Sequence, residues 1–195
     1  MMVRASKHYA TSGSPGVSPI GSNTLKTVIT RLYLDVDGTV SPIGNEPPAN
    51  SGWDKWASGR AFGFTVFWAE QLIVELNEIT ARPDVQPVWL TSWQDAAATS
   101  LSPVTGLNGE GWPVLPISHA QNKLAALRED LAEQERVSNR VDRIVWMDDH
   151  LGRMRAAREW SAQSSIPVLR LMPRTLVGLT PKHITQVQEF LGTPP

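Results

Sequence analysis

Two pairs of aspartates in this sequence follow apolar runs that are typical of buried strands. Asp35 and Asp37 stand one residue apart in the segment RLYLDVDGTVSP, residues 31–42, and Asp148 and Asp149 follow the run RIVWM. Four carboxylates packed together would repel one another, and a divalent cation would remove that cost. The sequence has no cysteine, so oxygen or imidazole must hold any metal, and Mg²⁺ is the natural choice for oxygen ligands.

Two hydroxyls and a lysine supply groups that a bound phosphate needs. Thr91 and Ser92 follow the apolar run VQPVWL, and their hydroxyls are suited to hydrogen bonding with phosphate oxygens. Lys123 lies in the first turn of a predicted helix, where its flexible ammonium group could reach an anionic intermediate. Trp93 comes directly after the hydroxyls and could stack on a base or a sugar. Packing of Trp93 in the core is the alternative.

The elements that must position these side chains alternate between strand-like and helix-like segments. Near-continuous apolar runs predict five strands, at 30–36, 88–92, 113–117, 143–149 and 167–172. We expect the second strand to begin at 88 because Pro87 cannot donate to a sheet ladder. Helical spacing predicts helices at 66–80, 95–101, 151–162 and 181–191, and a further helix after Ser118 with Leu124, Leu127 and Leu131 on one face.

Strands that are apolar on both faces indicate a parallel sheet covered by helices on each side. The predicted fold is therefore α/β, a Rossmann-like three-layer sandwich with a five-stranded parallel sheet. Ligands of such sheets bind beyond the carboxyl ends of the strands. The acidic pairs and the hydroxyls all follow predicted strands, so we expect them to meet at that edge.

Two of the predicted helices have capping signals at their start. Ser118 and Gln121 have the spacing of a capping box. Thr180 is a suitable N-cap residue, and Pro181 then occupies the first helical position, where proline is favoured. These signals place one helix start directly after Ser118, with Lys123 near it, and another at 180.

Composition predicts one globular domain after a disordered tail. Residues 1–28 are rich in Gly, Ser, Pro and Thr, and residues 29–195 would form the domain, with a short flap or cap insertion at about 41–64. The net charge of −1 excludes a global basic field that would attract nucleic acid. No apolar run reaches the roughly 18 residues of a membrane helix, and the N-terminus has no apolar signal core. We therefore expect a cytoplasmic protein with no membrane contact.

The order of these motifs resembles the haloacid dehalogenase superfamily. The matching features are the run Asp35-Val-Asp37-Gly38-Thr39, a strand ending in Thr91, the later Lys123, and a strand ending in Asp148-Asp149. The segments VWLTSW, VWMDDH and VGLTPKH are similar to the haloacid dehalogenase-type domain of Swiss-army-knife RNA repair proteins. The resemblance covers residues 31 to about 150 and implies the same fold with a minimal cap.

The resemblance also implies a mechanism and roles for these residues. Asp35 would attack phosphorus and form an aspartyl-phosphate, while Asp37 would act as the general acid and base. Thr91 and Lys123 would hold the phosphoryl oxygens. The implied activity is Mg²⁺-dependent hydrolysis of a phosphomonoester, because an acid two residues after the nucleophile is needed for phosphoryl chemistry and not for dehalogenation.

Further site assignments follow from the same resemblance. Mg²⁺ would be held by Asp35, the main-chain carbonyl of Asp37, and Asp148, with Asp149 as a water-mediated ligand or a partner of Lys123. Ser92, Gly38 and Trp93 would complete the substrate-binding surface. The partner would be a phosphorylated small molecule or a nucleic-acid or nucleotide phosphate end, and nothing in the sequence indicates a protein partner.

Several alternatives remain open from the sequence. The chain could be a binding module that keeps the fold and the metal site without useful turnover, or a phosphotransferase that passes the phosphoryl group to an alcohol. Lys182 or Arg153 could take the place of Lys123. His150 could touch the substrate or lie in a surface turn. The arginines at 153, 155 and 158 do not share one helix face, so a solvated surface is the simplest interpretation of them.

Overall fold

The structure is a computed structural model that describes residues 28–117 and 122–193. Within them the secondary-structure elements are β1 Thr30–Leu34, β2 Trp56–Ala61, β3 Phe64–Ala69, α1 Glu70–Thr80, β4 Val85–Trp89, α2 Ser102–Thr105, α3 Lys123–Arg136, β5 Arg143–Met147, α4 Arg155–Gln163, β6 Val168–Leu171 and α5 Pro181–Gly192. A π-helical turn, Ala97–Leu101, precedes α2, and a 3₁₀ turn, Asp149–Gly152, precedes α4. The tail expected over residues 1–28, except its last residue, and the capping box expected at Ser118 and Gln121 lie outside the described residues.

The main sheet is parallel, with strand order β4-β1-β5-β6. The register places Leu34, the last residue of β1, beside Trp89 of β4 and Met147 of β5. The carboxyl ends of these strands therefore meet at one edge. The predicted α/β class and parallel sheet are confirmed, and the four strands are consistent with a Rossmann-like arrangement.

The predicted fifth strand at 113–117 is reduced to an isolated bridge between Trp89 and Val114. Two backbone hydrogen bonds make this bridge, from Trp89 to the Pro113 carbonyl and from Leu115 back to the Trp89 carbonyl. Prolines at 113 and 116 have no N–H to extend the ladder. The described residues thus form four paired strands in this sheet, and a five-stranded sheet is not confirmed.

The prediction that β4 begins after Pro87 is wrong, because β4 starts at Val85. The N–H of Trp89 points away from β1, toward Pro113. Residues two apart in a strand point their N–H groups the same way, so the missing N–H of Pro87 also lies on the outer side. No hydrogen bond to β1 is lost there.

Helices cover both faces of the sheet, and each face has its own apolar core. On one face the buried residues Leu32, Leu34, Trp89, Val145 and Met147 pack against Leu72, Leu76, Ile184 and Val187 of α1 and α5. On the other face Tyr33, Val88, Ile144 and Trp146 pack against Ala126, Leu127 and Ala157 of α3 and α4. This is the predicted three-layer arrangement. Among the described residues, no helix is long and apolar enough to cross a bilayer.

A two-stranded antiparallel hairpin, β2 and β3, lies between β1 and α1. It falls partly in the region where the sequence predicts a flap or cap insertion, and it extends to Ala69. The helix expected over 66–80 begins only at Glu70, because residues 66–69 belong to β3. At the other end of the domain, α5 begins with the capping interactions expected from Thr180, which are completed by the side chain of His183.

A buried ion pair fixes α3 against β1. The guanidinium of Arg31 donates to both carboxylate oxygens of Asp130, at 2.9 and 2.7 Å, and the hydroxyl of Tyr33 donates to the same carboxylate at 2.7 Å. We call these three residues the Arg31 cluster. All three are buried, so this contact sets the position of α3 relative to β1 and, with it, the position of the helix start at Lys123.

Candidate active site

The chain turns sharply at the carboxyl end of β1 and exposes polar groups there. The N–H groups of Thr39 and Ser41 both donate to the Val36 carbonyl, at 3.1 and 3.0 Å, and Gly38 has a positive φ of 65°. A Cβ on Gly38 would lie 2.5 Å from a carboxylate oxygen of Asp149. Glycine is therefore required by both the backbone conformation and the close approach of Asp149.

Lys123 lies buried between two carboxylates at this edge. Its Nζ is 2.8 Å from Oδ2 of Asp35 and 2.7 Å from Oδ2 of Asp148. Asp35 directly follows β1, Asp148 directly follows β5, and Lys123 is the first residue of α3. We call these three residues the Lys123 cluster. The sequence expectation that they converge from distant parts of the chain agrees with this geometry.

The Lys123 cluster has two carboxylates for one ammonium group, and its electrostatics reflect this excess. Burial raises the pKa of Asp35 to about 7; Lys123 opposes the rise, and Asp148 adds to it. Burial lowers the pKa of Lys123, but the two carboxylates outweigh that effect and raise it above its ordinary value. The ammonium group therefore stays charged, while Asp35 titrates near neutrality when no other cation is present.

Asp148 and Asp149 have different surroundings although they are adjacent. Both oxygens of Asp148 are occupied, Oδ2 by Lys123 and Oδ1 by the N–H of His150 at 2.8 Å. Oδ2 of Asp149 accepts from the hydroxyl of Thr175 at 2.5 Å. Oδ1 of Asp149 is buried and accepts no hydrogen bond from the described residues unless Nδ1 of His150, 3.1 Å away, carries a proton. Each oxygen of Asp148 thus accepts one hydrogen bond and keeps one lone pair, whereas Oδ1 of Asp149 has both lone pairs available.

These groups fit a divalent cation. Asp35, Asp148, Asp149 and His150 place one potential ligand atom each within 4.8 Å of one another. A buried carboxylate oxygen without a partner is costly unless something binds it, and the unpartnered Oδ1 of Asp149 belongs to this group. Carboxylate oxygens predominate, which suits hard cations such as Mg²⁺. The imidazole of His150 is partly exposed, with Nδ1 3.1 Å from that same Oδ1.

Asp37 lies at the mouth of the site and is only partly buried. Desolvation raises its pKa, and a hydrogen bond from the side chain of Trp93 opposes the rise. A carboxyl group with a raised pKa is suited to donating a proton near neutral pH. The Trp93 side chain is almost wholly buried, which agrees with the alternative prediction that it packs into the core.

The two predicted hydroxyl residues differ in exposure. Thr91 is fully buried just beyond β4, and its Oγ1 accepts from the N–H of Trp93 at 3.3 Å. Ser92 is exposed. Because β4 pairs with β1 in register, Thr91 lies at the edge that carries Asp35. The alternative cations are less suited to this edge, because Lys182 and Arg153 are exposed while Lys123 is buried in it.

Sequence reasoning did not assign roles to two threonines that hold Asp149 in place. Thr39 is fully buried and accepts from the N–H of Asp149 at 3.2 Å through its hydroxyl. Thr175 donates to the Asp149 carboxylate from the loop before α5. Thr39 could have been found, since it follows Gly38 in the first motif. Thr175 has no sequence signal, because it comes from a loop 26 residues away from its partner.

Comparison with known protein families agrees with this geometry. A family model described as the HAD domain in Swiss Army Knife RNA repair proteins matches residues 31–184. The match includes β1, both acidic pairs, Lys123 and the start of α5. Comparisons with curated proteins and with solved structures gave no significant match. The matched region is most of the chain, and the chain therefore belongs to the family of HAD domains found in Swiss Army Knife RNA repair proteins.

Proposed function

We propose that this protein is a Mg²⁺-dependent phosphomonoester hydrolase that works through an aspartyl-phosphate on Asp35. HAD domains are generally phosphatases and related hydrolases, which supports the reaction class. The observation that carries the proposal is the Lys123 cluster, where one ammonium group is shared by two buried carboxylates beside the unpartnered Oδ1 of Asp149. This arrangement has excess negative charge, which a metal ion would offset, so that an anionic phosphoryl group could bind beside it.

The metal would be held by Asp35, Asp148 and Asp149, with the main-chain carbonyl of Asp37. Each oxygen of Asp148 accepts one hydrogen bond and keeps a second lone pair for the ion. When bound, Mg²⁺ supplies positive charge that offsets the carboxylates and the phosphate oxygens. Thr39 and Thr175 orient Asp149 for this purpose.

Asp35 is the nucleophile in the first step. One of its carboxylate oxygens forms a bond to phosphorus while the bond from phosphorus to the leaving oxygen breaks. Asp37 donates its proton to that leaving oxygen, which its raised pKa favours. Lys123 keeps Asp35 in position and places positive charge next to the phosphoryl oxygens, and the Thr91 hydroxyl adds a hydrogen-bond donor.

Water completes the reaction in the second step. Asp37, now ionised, takes a proton from the water as the water oxygen attacks phosphorus. The bond between phosphorus and Asp35 breaks, inorganic phosphate is released, and both carboxyl groups return to their starting states. Asp37 therefore acts as the acid in the first step and the base in the second, which its position at the mouth of the site allows.

The substrate we favour within this class is a nucleotide or a nucleic-acid phosphate end. The family description, which refers to RNA repair proteins, supports this choice. Only a two-stranded hairpin stands between β1 and α1 in the described residues, so the site has little cover there. A phosphorylated chain end could approach it from that side.

The proposal is tested by steady-state hydrolysis of 4-nitrophenyl phosphate with and without Mg²⁺. We expect Mg²⁺-dependent release of phosphate and a loss of about three orders of magnitude or more in Asp35→Asn, because only binding and electrostatics remain. Asp84→Asn, which changes a carboxyl at the opposite edge of the sheet, is the matched control.

A second variant separates the two roles of Asp37. Asp37→Asn should slow the first step much more for an alkyl phosphate than for an aryl phosphate, because a nitrophenolate leaves without a proton. Turnover by Asp35→Asn at the wild-type rate would refute the nucleophile assignment. Equal losses in the first step on both substrates in Asp37→Asn would remove its role as the general acid.

A further inference from the structure

The tip of the β2–β3 hairpin carries two large aromatic side chains in water. Phe62 and Phe64 are each 61% exposed. Ala61 pairs with Phe64 across the hairpin, so Phe62 and Gly63 form a two-residue turn. Both turn residues have a positive φ, 52° and 83°. A phenylalanine in this conformation is unusual, since such turns favour Asn-Gly.

The chain holds this strained turn in a defined position. The N–H of Phe62 donates to the hydroxyl of Ser100 at 2.7 Å, and the Arg60 guanidinium donates to the Gly63 carbonyl at 2.6 Å. A strained, exposed and fixed aromatic residue does not help the fold. Local strain that the structure maintains in this way is more often found where a ligand binds.

The two phenylalanines form one aromatic wall with Trp93. The ring centroids of Phe62 and Phe64 lie 5.9 and 6.2 Å from that of Trp93 and 6.2 Å from each other, with tilted planes. Trp93 and Phe64 line the same cavity as Asp37. The wall therefore lies beside the carboxyl group that we assign to the leaving oxygen.

A cavity of about 230 Å³ connects the wall to Asp37. Asp37, Phe64 and Trp93 line it, together with the loop 41–44. It is smaller than the roughly 300–1,000 Å³ pockets that enclose drug-sized ligands. One ring next to the reacting ester would fit it better than a segment of folded protein.

We propose that Phe62 and Phe64, backed by the buried Trp93, bind a planar ring on the leaving-group side of the ester, and that the enzyme prefers phosphomonoesters carrying one. This inference rests on the proposed function, because it places the leaving group beside Asp37. Aromatic faces stack on planar rings more favourably than on saturated ones of the same size. The ring could be a nucleobase or a phenyl group, and both present the same flat surface.

The first test compares substrates that differ only in the ring. Benzyl phosphate is compared with cyclohexylmethyl phosphate, and adenosine 5′-phosphate with ribose 5-phosphate. We expect kcat/KM to be about tenfold higher for the planar member of at least one pair, by the usual size of a stacking contact. The pair with the larger ratio shows whether the preferred ring is a phenyl group or a nucleobase. Ratios near one in both pairs would overturn the inference.

Variants at the hairpin tip show whether the wall causes the preference. Phe62→Ala and Phe64→Ala should each lower the ratio several-fold, whereas Val137→Ala, which removes a similarly exposed apolar group from the end of α3, should leave it unchanged. Phe62→Asn should lower the ratio and raise the melting temperature by a few degrees, because it relieves the turn. A preserved ratio in all three tip variants would place the recognition elsewhere.

A binding measurement keeps this inference separate from the proposed activity. Calorimetry with benzylphosphonate and cyclohexylmethylphosphonate, which are not hydrolysed, should show tighter binding of the planar compound by the wild type and equal binding by Phe64→Ala. Planar preference without any hydrolysis would support the wall and refute the phosphatase. Hydrolysis with no planar preference would refute the wall alone.

Discussion

The Arg31 cluster and the Lys123 cluster join the same two elements of the molecule, β1 and α3. Both are buried, and both place a basic side chain beside an aspartate. In the Arg31 cluster one guanidinium meets one carboxylate, and that carboxylate also accepts from Tyr33. In the Lys123 cluster one ammonium group meets two carboxylates. The first is balanced and complete, and the second is not.

This difference separates a structural ion pair from a reactive one. A buried pair with matched charge and satisfied hydrogen bonds can hold two elements together without a ligand. Burial raises the pKa of Asp35, Lys123 opposes the rise, and the second carboxylate, Asp148, adds to it, so a further cation would stabilise this cluster. Two clusters of similar composition on the same elements therefore serve different purposes, and variants of each should fail in different ways.

The largest expected effect is the loss of turnover when the Lys123 cluster loses its ammonium group. Lys123→Met should lower kcat for an aryl phosphate by about 10³-fold, because a positive charge next to the developing phosphoryl charge is removed. Steady-state kinetics with saturating Mg²⁺ measure this. Lys182→Met, at an exposed site, is the control, and a Lys123→Met enzyme within threefold of wild type would contradict the role of Lys123.

Breaking the Arg31 cluster should instead lower the stability of the fold. Asp130→Ala leaves the Arg31 charge buried without its carboxylate, and we expect a loss of about 3–5 kcal/mol in the free energy of unfolding. Urea denaturation gives this value. The double variant Arg31→Met with Asp130→Leu should recover most of the loss, since no buried charge remains. If the double variant folds well but has lost its activity, the Arg31 cluster is more than structural.

Mg²⁺ should stabilise the folded chain only by binding at the Lys123 cluster. A ligand that binds the folded state at about 100 times its Kd adds about 2.7 kcal/mol to the free energy of unfolding. We expect a rise of this size in thermal or urea unfolding at pH 8, and its absence in Asp149→Asn. Asp84→Asn should keep the full effect. Equal stabilisation of Asp149→Asn would show that the ion binds elsewhere.

A further effect is a pH dependence of stability without metal. A carboxyl whose pKa is raised binds its proton more tightly in the folded chain than in the unfolded one. For Asp35 the free energy of unfolding should therefore fall as pH rises from 3.8 to about 7. Asp35→Asn should remove part of this slope. The test compares the pH dependence of stability of the wild type and of Asp35→Asn after chelator treatment. Parallel curves for the two proteins would exclude Asp35 as the source of the slope.

The amino-acid sequence was informative about the sheet because the physical rules for strands are local and repetitive. Apolar runs predict strands, and parallel strands place their ends together, so Asp35, Thr91 and Asp148 could be assigned to one edge from the sequence alone, while Lys123 was expected to reach that edge from the start of a helix. The buried convergence of Lys123 with both carboxylates agrees with that expectation. The distinct positions of Asp148 and Asp149 could not be predicted, because they depend on hydrogen bonds from Lys123, His150 and Thr175.

The hairpin was missed for a different reason. The residues of β3 run directly into α1, so one apolar pattern covers both elements and predicts a single helix from 66. The turn between β2 and β3 is Phe-Gly instead of Asn-Gly, which removes the strongest sequence signal for a hairpin. The exposed pair Phe62 and Phe64 therefore had no context that pointed to the site, and only their contact with Trp93 connects them to Asp37.

The central claim is that Asp35 carries the phosphoryl group, and trapping that intermediate tests it most directly. Asp37→Asn is mixed with an aryl phosphate and Mg²⁺, which allows the first step and slows hydrolysis of the intermediate. Borohydride then reduces any aspartyl-phosphate to homoserine, and mass spectrometry locates it. We predict homoserine at position 35, only when substrate is present. Homoserine at another aspartate, or none while phosphate is still released, would contradict the account.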